Sequence, residues 1–427
     1  MFGVLALLLG GAHYYLWHRL VKATTAEGSR ARRAGAVVLA VMCAFSLAAL
    51  AAVRNVPVSF QVKGIVSWIG YTWLVLLMFA GMVLVAAEPV RWILNRRIAR
   101  AEREPVAAGG GGSSEEEAAG EEPRSDSSSV ATATEAPPTG PPEEGGPTGL
   151  TRRRTVAAGI AATAATVSLV TTGYGLYEGM RPPRYKPLEV PLARLPRKAD
   201  GFRVALLSDI HLSPMVGRSR SRVIVDAVNR VDADLVAVVG DLVDGTVSEL
   251  GDAVAPLADL DSRYGTFFVT GNHEYYSGVE RWIEEIQEIG MRPLENVHAE
   301  LPHFDLAGVD DVQAEEFPNE QSSGPDFAAA LGDRDPDRAA VLLAHQPVVI
   351  DQAVDWGVDL QLSGHTHGGQ IWPGTLLAGL PNPTVAGLES YGDTQLYVSR
   401  GAGAWGPQVR VGAPSEISVV TLRSLRA

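Results

Sequence analysis

The chain has 427 residues, 46% of them hydrophobic and 20% charged, with a formal net charge of -13. That length exceeds one ordinary domain and is enough to bury a large core. A single cysteine, Cys43, excludes an intrachain disulfide and any multi-thiolate metal site, and the acidity is too localised to name a partner: residues 101–150 hold eleven acids and two arginines, -9 of the total.

Four apolar stretches, 2–17, 36–53, 65–87 and 156–177, approach or exceed the roughly 17 to 25 residues that a membrane helix needs. The third carries Trp68, Tyr71 and Trp73 toward one end, where interfacial aromatic residues sit. In the first, His13, Tyr14, Tyr15, Trp17 and His18 make the second half amphipathic. No positively charged region precedes it and no small-residue cleavage site comes after it, so it reads as a retained helix rather than a signal peptide. Arg19, Lys22, Arg30, Arg32 and Arg33 between the first two stretches outnumber Arg54 and Lys63 between the second and third. Arg91, Arg96, Arg97, Arg100 and Arg103 come after the third, and Arg152, Arg153 and Arg154 precede the fourth. The positive-inside rule then places both flanks of the acidic stretch in the cytoplasm and everything after Tyr177 outside it.

Residues 91–103 (RWILNRRIARAER) read equally as a surface helix on anionic headgroups or as an extension of the third span. Residues 104–148 are dominated by Glu, Gly, Pro, Ser, Thr and Ala; they cannot bury enough apolar surface to offset their ordering entropy and are expected to be disordered. The run from Arg152 to Thr155 before the fourth stretch resembles a twin-arginine export signal, although its place inside the chain favours a plain anchor; either one exports the downstream domain. The organisation expected is a membrane region over 1–100 with three spans, a linker over 101–154 and a fourth span or anchor over 155–178. A Pro-rich connector over 179–200, able to hold the last unit away from the bilayer, then leads to a folded domain over 201–427.

From about Gly201, short β-branched runs alternate with amphipathic helices. Residues 203–207, 235–239, 266–270, 340–344 and 358–362 read as buried strands, and 218–231, 247–260 and 278–289 as helices, which predicts an α/β domain with parallel strands in its first half. Residues 304–309, 395–399 and 417–422 lack long intervening helices and suggest a second, more antiparallel sheet, while 310–338 read as a long loop.

Polar residues come after the strands in a pattern. Asp209-Ile210-His211 succeeds the first, Gly240-Asp241-Leu242-Val243-Asp244 the second and Gly271-Asn272-His273-Glu274 the third; His345 and Gly364-His365-Thr366-His367 succeed the later ones. The carboxyl ends of parallel strands converge on one crevice, so seven nitrogen and oxygen donors meet there. Two aspartates, an asparagine and four histidines without sulfur suit Mn, Fe or Zn. They exceed what one catalytic ion with an open water position needs, whereas two ions about 3.5 to 4 Å apart sharing a carboxylate would use them fully. Gly240, Gly271 and Gly364 permit sharp turns and close backbone approach.

This motif set resembles the calcineurin-like metallophosphoesterase superfamily. The extension Gly368-Gly369-Gln370 and the later Ser399-Arg400-Gly401 resemble its bacterial membrane-associated subgroup, over roughly residues 200–425. The resemblance implies a two-sheet αββα sandwich. It further implies that Asp209, His211 and His367 bind one divalent ion, that Asn272, His345 and His365 bind the other, and that Asp241 bridges. His273 then faces the substrate and stabilises or protonates the leaving oxygen, which agrees with imidazole acid chemistry near neutral pH.

Asp244 and Glu274 read equally as caps or supporting partners of the ligands and as direct ligands themselves. Arg400 reads as a phosphate contact beside Asn272 and His273 or, more simply, as a surface salt bridge. His298 and His303 read as structural, and Trp282, Trp356 and Trp372 as core. The function this predicts is hydrolysis of a phosphate mono- or diester, with a phospholipid or other lipid-linked phosphate as the narrower reading, by a multi-pass cell-membrane protein whose catalytic domain is extracytoplasmic. Membrane lipids are the expected neighbours. A nuclease or nucleotide phosphodiesterase, and a sensory or binding membrane protein with a weakly active metal domain, are the alternatives; no basic stripe with interleaved aromatics marks nucleic-acid binding.

Overall fold

The computed structural model describes residues 2–52, 58–101, 152–317 and 324–426. The stretch 104–148, expected to be disordered, lies outside these residues. The N-terminal region forms α1 (Phe2–Leu16), α2 (Arg30–Ala52), α3 (Phe60–Ala86), α4 (Glu88–Ala101) and α5 (Arg152–Met180). Among the described residues, α2, α3 and α5 are long and apolar enough to cross a membrane. The first expected span, α1, is not one of them. Its 15 residues rise roughly 22 Å against a hydrocarbon core of about 30 Å. It continues into the π-helical turn Trp17–Lys22, which carries charge. Its His13 is buried and accepts from Trp73 Nε1 of α3 at 2.9 Å, so its polar half turns onto a neighbouring helix.

The rest of the chain runs β1 (Arg184–Leu192), β2 (Arg203–Leu207), α6 (Arg218–Asn229), β3 (Leu235–Val239), α7 (Val247–Val254), β4 (Thr266–Val269), α8 (Asn272–Ser277) and α9 (Val279–Glu288). It continues with β5 (Arg292–Pro293), β6 (Val297–Glu300), β7 (Asp305–Gly308), β8 (Ala340–Leu343), β9 (Leu360–Ser363), β10 (Gly387–Tyr391), β11 (Thr394–Val398) and β12 (Glu416–Ser424). Two six-stranded sheets result, ordered β1-β12-β2-β3-β4-β5 and β10-β11-β9-β8-β7-β6. Val204, Leu206, Ala237, Val239, Phe267 and Leu422 of the first sheet meet Leu306, Val341, Leu343, Leu360 and Tyr397 of the second. Outside the first sheet, Val236, Val238 and Phe268 pack against Ile224, Leu250, Trp282 and Ile286 of α6, α7 and α9. Outside the second, Leu342 and Val398 pack on the short helices Phe327–Leu331 and Ile350–Asp355. This is the αββα sandwich, and burial on both faces explains why β2, β3 and β4 are unbroken apolar runs.

Several expectations are corrected. The connector 179–200 is not a spacer: β1 lies within it, paired in parallel with β12 from Arg184 to Leu192. Pro187 and Pro191 made it look irregular, but β1 is an edge strand, where a missing N–H costs no ladder bond on the open side. Strand β12 joins the first sheet, antiparallel to β2, rather than the second. The second sheet is parallel through β7, β8, β9 and β11, with antiparallel pairs only at its edges. The crossover helices between its parallel strands, of five and six residues, are too short to show a helical period. One of them, Phe327–Leu331, together with the turn Val312–Glu315, occupies what read as a loop over 310–338. Trp282 is buried as expected, with Nε1 donating to the Gly245 carbonyl, but Trp356 and Trp372 are exposed. His298 is part-buried in β6 with Nδ1 3.0 Å from the Ala330 carbonyl, a structural contact.

The helices of the N-terminal region pack directly on the sandwich. Lys63 of α3 pairs with Glu249 of α7 at 2.8 Å, and Trp68 Nε1 donates to the Met215 carbonyl at 3.1 Å. Phe60 packs on the core of the first sheet. From α5, the Gly175 carbonyl accepts from Arg410 N at 2.9 Å, and Gly179 lies so close to the Gln408 backbone that a Cβ would collide with it. Farther along α3, Val75 and Phe79 bury Val409.

Candidate functional site

The five loops that bear the candidate ligands lie together at the carboxyl ends of β2, β3, β4, β8 and β9. Sharp turns aim them. Asp209, His211, Asp241, His365 and His367 all hold positive φ, between 49° and 71°. For residues with a Cβ this left-handed conformation costs roughly 1 to 2 kcal/mol each, tolerated where the surrounding structure over-determines it. Gly240, at φ 75°, turns β3 into its loop, and a Cβ on Gly364 would occupy the space of the Ser208 hydroxyl and the Asp209 carboxylate.

The donor atoms converge in three groups that could hold metal ions: Asp209 with His211 and His367, Asp241 with His345 and His365, and, sharing His211 with the first, Asp244 with His273. In the first, His367 Nε2 lies 3.4 Å from Asp209 Oδ1 and 3.0 Å from His211 Nε2. In the second, His365 Nδ1 lies 3.0 Å from Asn272 Oδ1 and 3.3 Å from His345 Nε2. Asp241 stands between them, with Oδ2 3.6 Å from His211 Nε2 and 3.2 Å from His345 Nε2. All seven residues are buried or nearly so, and their nitrogens and oxygens, without sulfur, fit borderline to hard divalent ions. Arg400 does not reach the cluster; it turns toward Glu416 at 3.3 Å.

Asp244 and Glu274 both contact the candidate ligands or the loops that carry them. Asp244 Oδ1 lies 2.9 Å from His211 Nδ1 and 2.6 Å from His273 Nδ1, so one carboxylate orients both rings. Glu274 accepts from the backbone N–H groups of Gly271, Asp241 and Leu242 at 2.7, 2.9 and 2.8 Å, tying two ligand loops together. Burial and the neighbouring Asp241 charge raise its carboxyl to about 7. For His273, burial works against protonation, but the charges of Asp241 and Asp244 outweigh it and raise the ring to about 9.

A cavity of about 560 Å³ opens over the cluster, lined by His211, Asp241, Asn272, His273, His365 and His367. Tyr276, Ile371, Ala378 and Trp405 complete its walls. Sequence reading missed Tyr276 and Trp405, which contact His273 edge-on at 5.4 and 6.0 Å. It also missed Arg410, whose buried guanidinium donates to the carbonyls of His367, Gly403 and Ala413 and braces the last ligand loop. None of these carries a local pattern; a glycine-rich stretch around 401–406 was the only hint of close packing there.

Residues 202–369 match the family model described as calcineurin-like phosphoesterase. The chain is 40% identical over 270 residues to a Danio rerio protein named transmembrane protein with metallophosphoesterase domain, covering 60% of this chain and 61% of that one. It is 39% identical to an uncharacterized metallophosphoesterase of Helicobacter pylori over 60% of this chain and 68% of that one. With one from Aquifex aeolicus it shares 30% identity over 56% of this chain and 92% of the relative. The chain thus spans about three fifths of the vertebrate relatives it matches. The chain belongs to the calcineurin-like phosphoesterase family, and its C-terminal half is that family's metal-dependent phosphoester hydrolase domain.

Proposed function

We propose that this protein is a dinuclear-metal-dependent phosphoesterase that hydrolyses a lipid-linked phosphate ester at the extracytoplasmic face of the cell membrane. The observation that carries the chemistry is the position of Asp241 Oδ2 within reach of both histidine groups. In this reading Asp209, His211 and His367 hold one ion, Asn272, His345 and His365 the other, and Asp241 is shared. Bound there, two divalent ions of Mn, Fe or Zn would supply Lewis acidity toward the phosphoryl oxygens and activate water. His273, fixed through Nδ1 by Asp244, presents Nε2 to the leaving oxygen and gives it a proton. Asn272, beside it on the cavity wall, contributes to holding the phosphate.

The helix arrangement supports the orientation. Glu88, Arg91, Arg96 and Arg153 line one surface, so the basic ends of α4 and α5 meet at one end of the bundle. The sandwich packs on the opposite ends, at Lys63, Gly175 and Gly179. By the positive-inside rule the sandwich is then outside.

The lipid reading is supported by an apolar rim. Beside the cavity, the helix Gly374–Ala378 and its flanks expose Leu376, Leu377 and Leu380 at 72, 66 and 80%, with Trp372. Ile371, at the root of this segment, packs with Val75 and Phe79, well inside the candidate span α3. The rim therefore lies at bilayer depth, where these side chains are favourable rather than costly.

Two results test this. Stripping the full-length protein in detergent with chelator should lower hydrolysis of soluble aryl phosphate esters by roughly a thousandfold or more, and manganese should restore it. Stoichiometric metal uptake without turnover of any ester would favour a binding or sensory role instead. Leu376→Asp with Leu377→Asp should slow hydrolysis of lipid phosphate in vesicles about tenfold, since burying each leucine contributes roughly 1.5 to 3 kcal/mol. Soluble esters should be cleaved within about twofold of wild type; equal slowing of both substrates would show that the rim does not engage lipid.

A further inference from the structure

A second chamber of about 200 Å³ adjoins the metal cluster, and one of its walls is a membrane helix. Lys63, Ser67 and Tyr71 of α3 line it opposite Ser213, Asp244 and Glu249 of the sandwich. It shares His273, Tyr276 and Trp405 with the larger cavity, so the two spaces meet at the residue that faces the leaving oxygen. The ends differ in chemistry. The larger cavity leads to the apolar rim at bilayer depth, whereas the smaller carries more polar groups, among them Lys63, Ser67 and Ser213 beside Tyr71 and Met215, and sits at the sandwich end of α3, near the membrane surface.

We propose that this chamber is the subsite for the leaving alcohol of a phosphodiester, and that the membrane helix α3 supplies part of its recognition surface. This rests on the phosphoesterase reading above. The Ser213 hydroxyl is buried at 3% exposure and finds no partner, which is a cost unless a ligand meets it. The charges along the walls balance. Lys63 is paired with Glu249, and Asp244 is engaged with His211 and His273, so among the described residues no spare cation remains there for a second phosphate. A neutral alcohol bearing further hydroxyls, of glycerol to sugar size, matches that volume and those groups. The substrate class is a phospholipid whose diacyl side lies along the rim and whose hydroxylated headgroup enters the chamber.

In the reaction, a water oxygen bonds to phosphorus and loses one proton to solvent, and the bond from phosphorus to the headgroup oxygen breaks with its electron pair. His273 delivers a proton to that oxygen. The products are the free polyol and a phosphomonoester that stays in the lipid.

The full-length protein in mixed micelles should be given phosphatidylglycerol or its phosphatidylpropanol analogue, which lacks only the two headgroup hydroxyls, and alcohol release measured. We expect kcat/KM to favour glycerol release at least about tenfold, because a site built to hydrogen-bond a hydroxyl discriminates strongly against its absence. Ser213→Ala, which removes one hydroxyl, and Ser67→Leu, which fills the chamber from α3, should each reduce that preference to within about threefold. Equal rates for both lipids in wild type, a preference that survives both substitutions, or release of diacylglycerol in place of the alcohol would overturn the proposal. Soluble aryl phosphates report separately: if they are cleaved while neither lipid is, the subsite fails and the phosphoesterase reading stands; if nothing is cleaved, that reading fails first.

Discussion

Asp241→Asn should abolish metal-dependent turnover, by about a thousandfold or more, while leaving the fold intact. The carboxylate is within reach of both donor sets, with Oδ2 3.6 Å from His211 Nε2 and 3.2 Å from His345 Nε2. Its other oxygen accepts the His273 N–H at 2.9 Å, so it also positions the loop that carries the proposed acid. Asparagine keeps the shape and that hydrogen bond but removes the negative charge that two adjacent cations require. A loss of a thousandfold corresponds to about 4 kcal/mol of transition-state stabilisation, the scale of removing one essential electrostatic partner. Steady-state hydrolysis of an aryl phosphate, with metal content measured on the same sample, checks it. A variant retaining a tenth of wild-type kcat/KM with both ions bound would show that Asp241 is not the shared ligand.

The largest effect on stability is expected at Glu274. Its carboxylate accepts three backbone N–H groups from two loops and is buried beside Asp241. Alanine would leave all three donors without a partner in the interior. Each such group costs about 1 to 3 kcal/mol, less where water can enter the space, so Glu274→Ala should destabilise by about 3 kcal/mol. Glutamine should rescue only part: its oxygen can keep the Gly271 and Asp241 N–H groups, but its NH2 then faces the Leu242 N–H, donor against donor. Thermal unfolding of the chelated protein, which separates the fold from metal binding, should show a midpoint lowered by roughly 6 to 12 °C. An unchanged midpoint would mean that the three hydrogen bonds are replaced by solvent.

The residues of the candidate metal cluster could be picked out in the sequence because each is placed locally. Asp209, His211, Asp241, Asn272, His273, His345, His365 and His367 each sit within a few residues of a strand end, and parallel strands carry their carboxyl ends to one side. The apolar runs of β2, β3 and β4 and the helices α2, α3 and α5 were legible for the same reason, since burial on both faces or in lipid leaves a continuous apolar stretch. What tertiary structure alone decided depends on partners distant in the chain. β1 is a strand because β12, more than two hundred residues later, offers it a ladder that its own prolines do not advertise. Glu274 caps its own helix through the Gly271 N–H, as its spacing suggests, but it is also a loop tie, and Arg410 a brace for His367, only because other loops bring their backbones within hydrogen-bonding distance. The joining of α3 to the sandwich through Lys63, Ser67 and Tyr71 has no period or motif to announce it. Whether such side chains face lipid, solvent or a chamber beside the metals is set by how two separately patterned units pack.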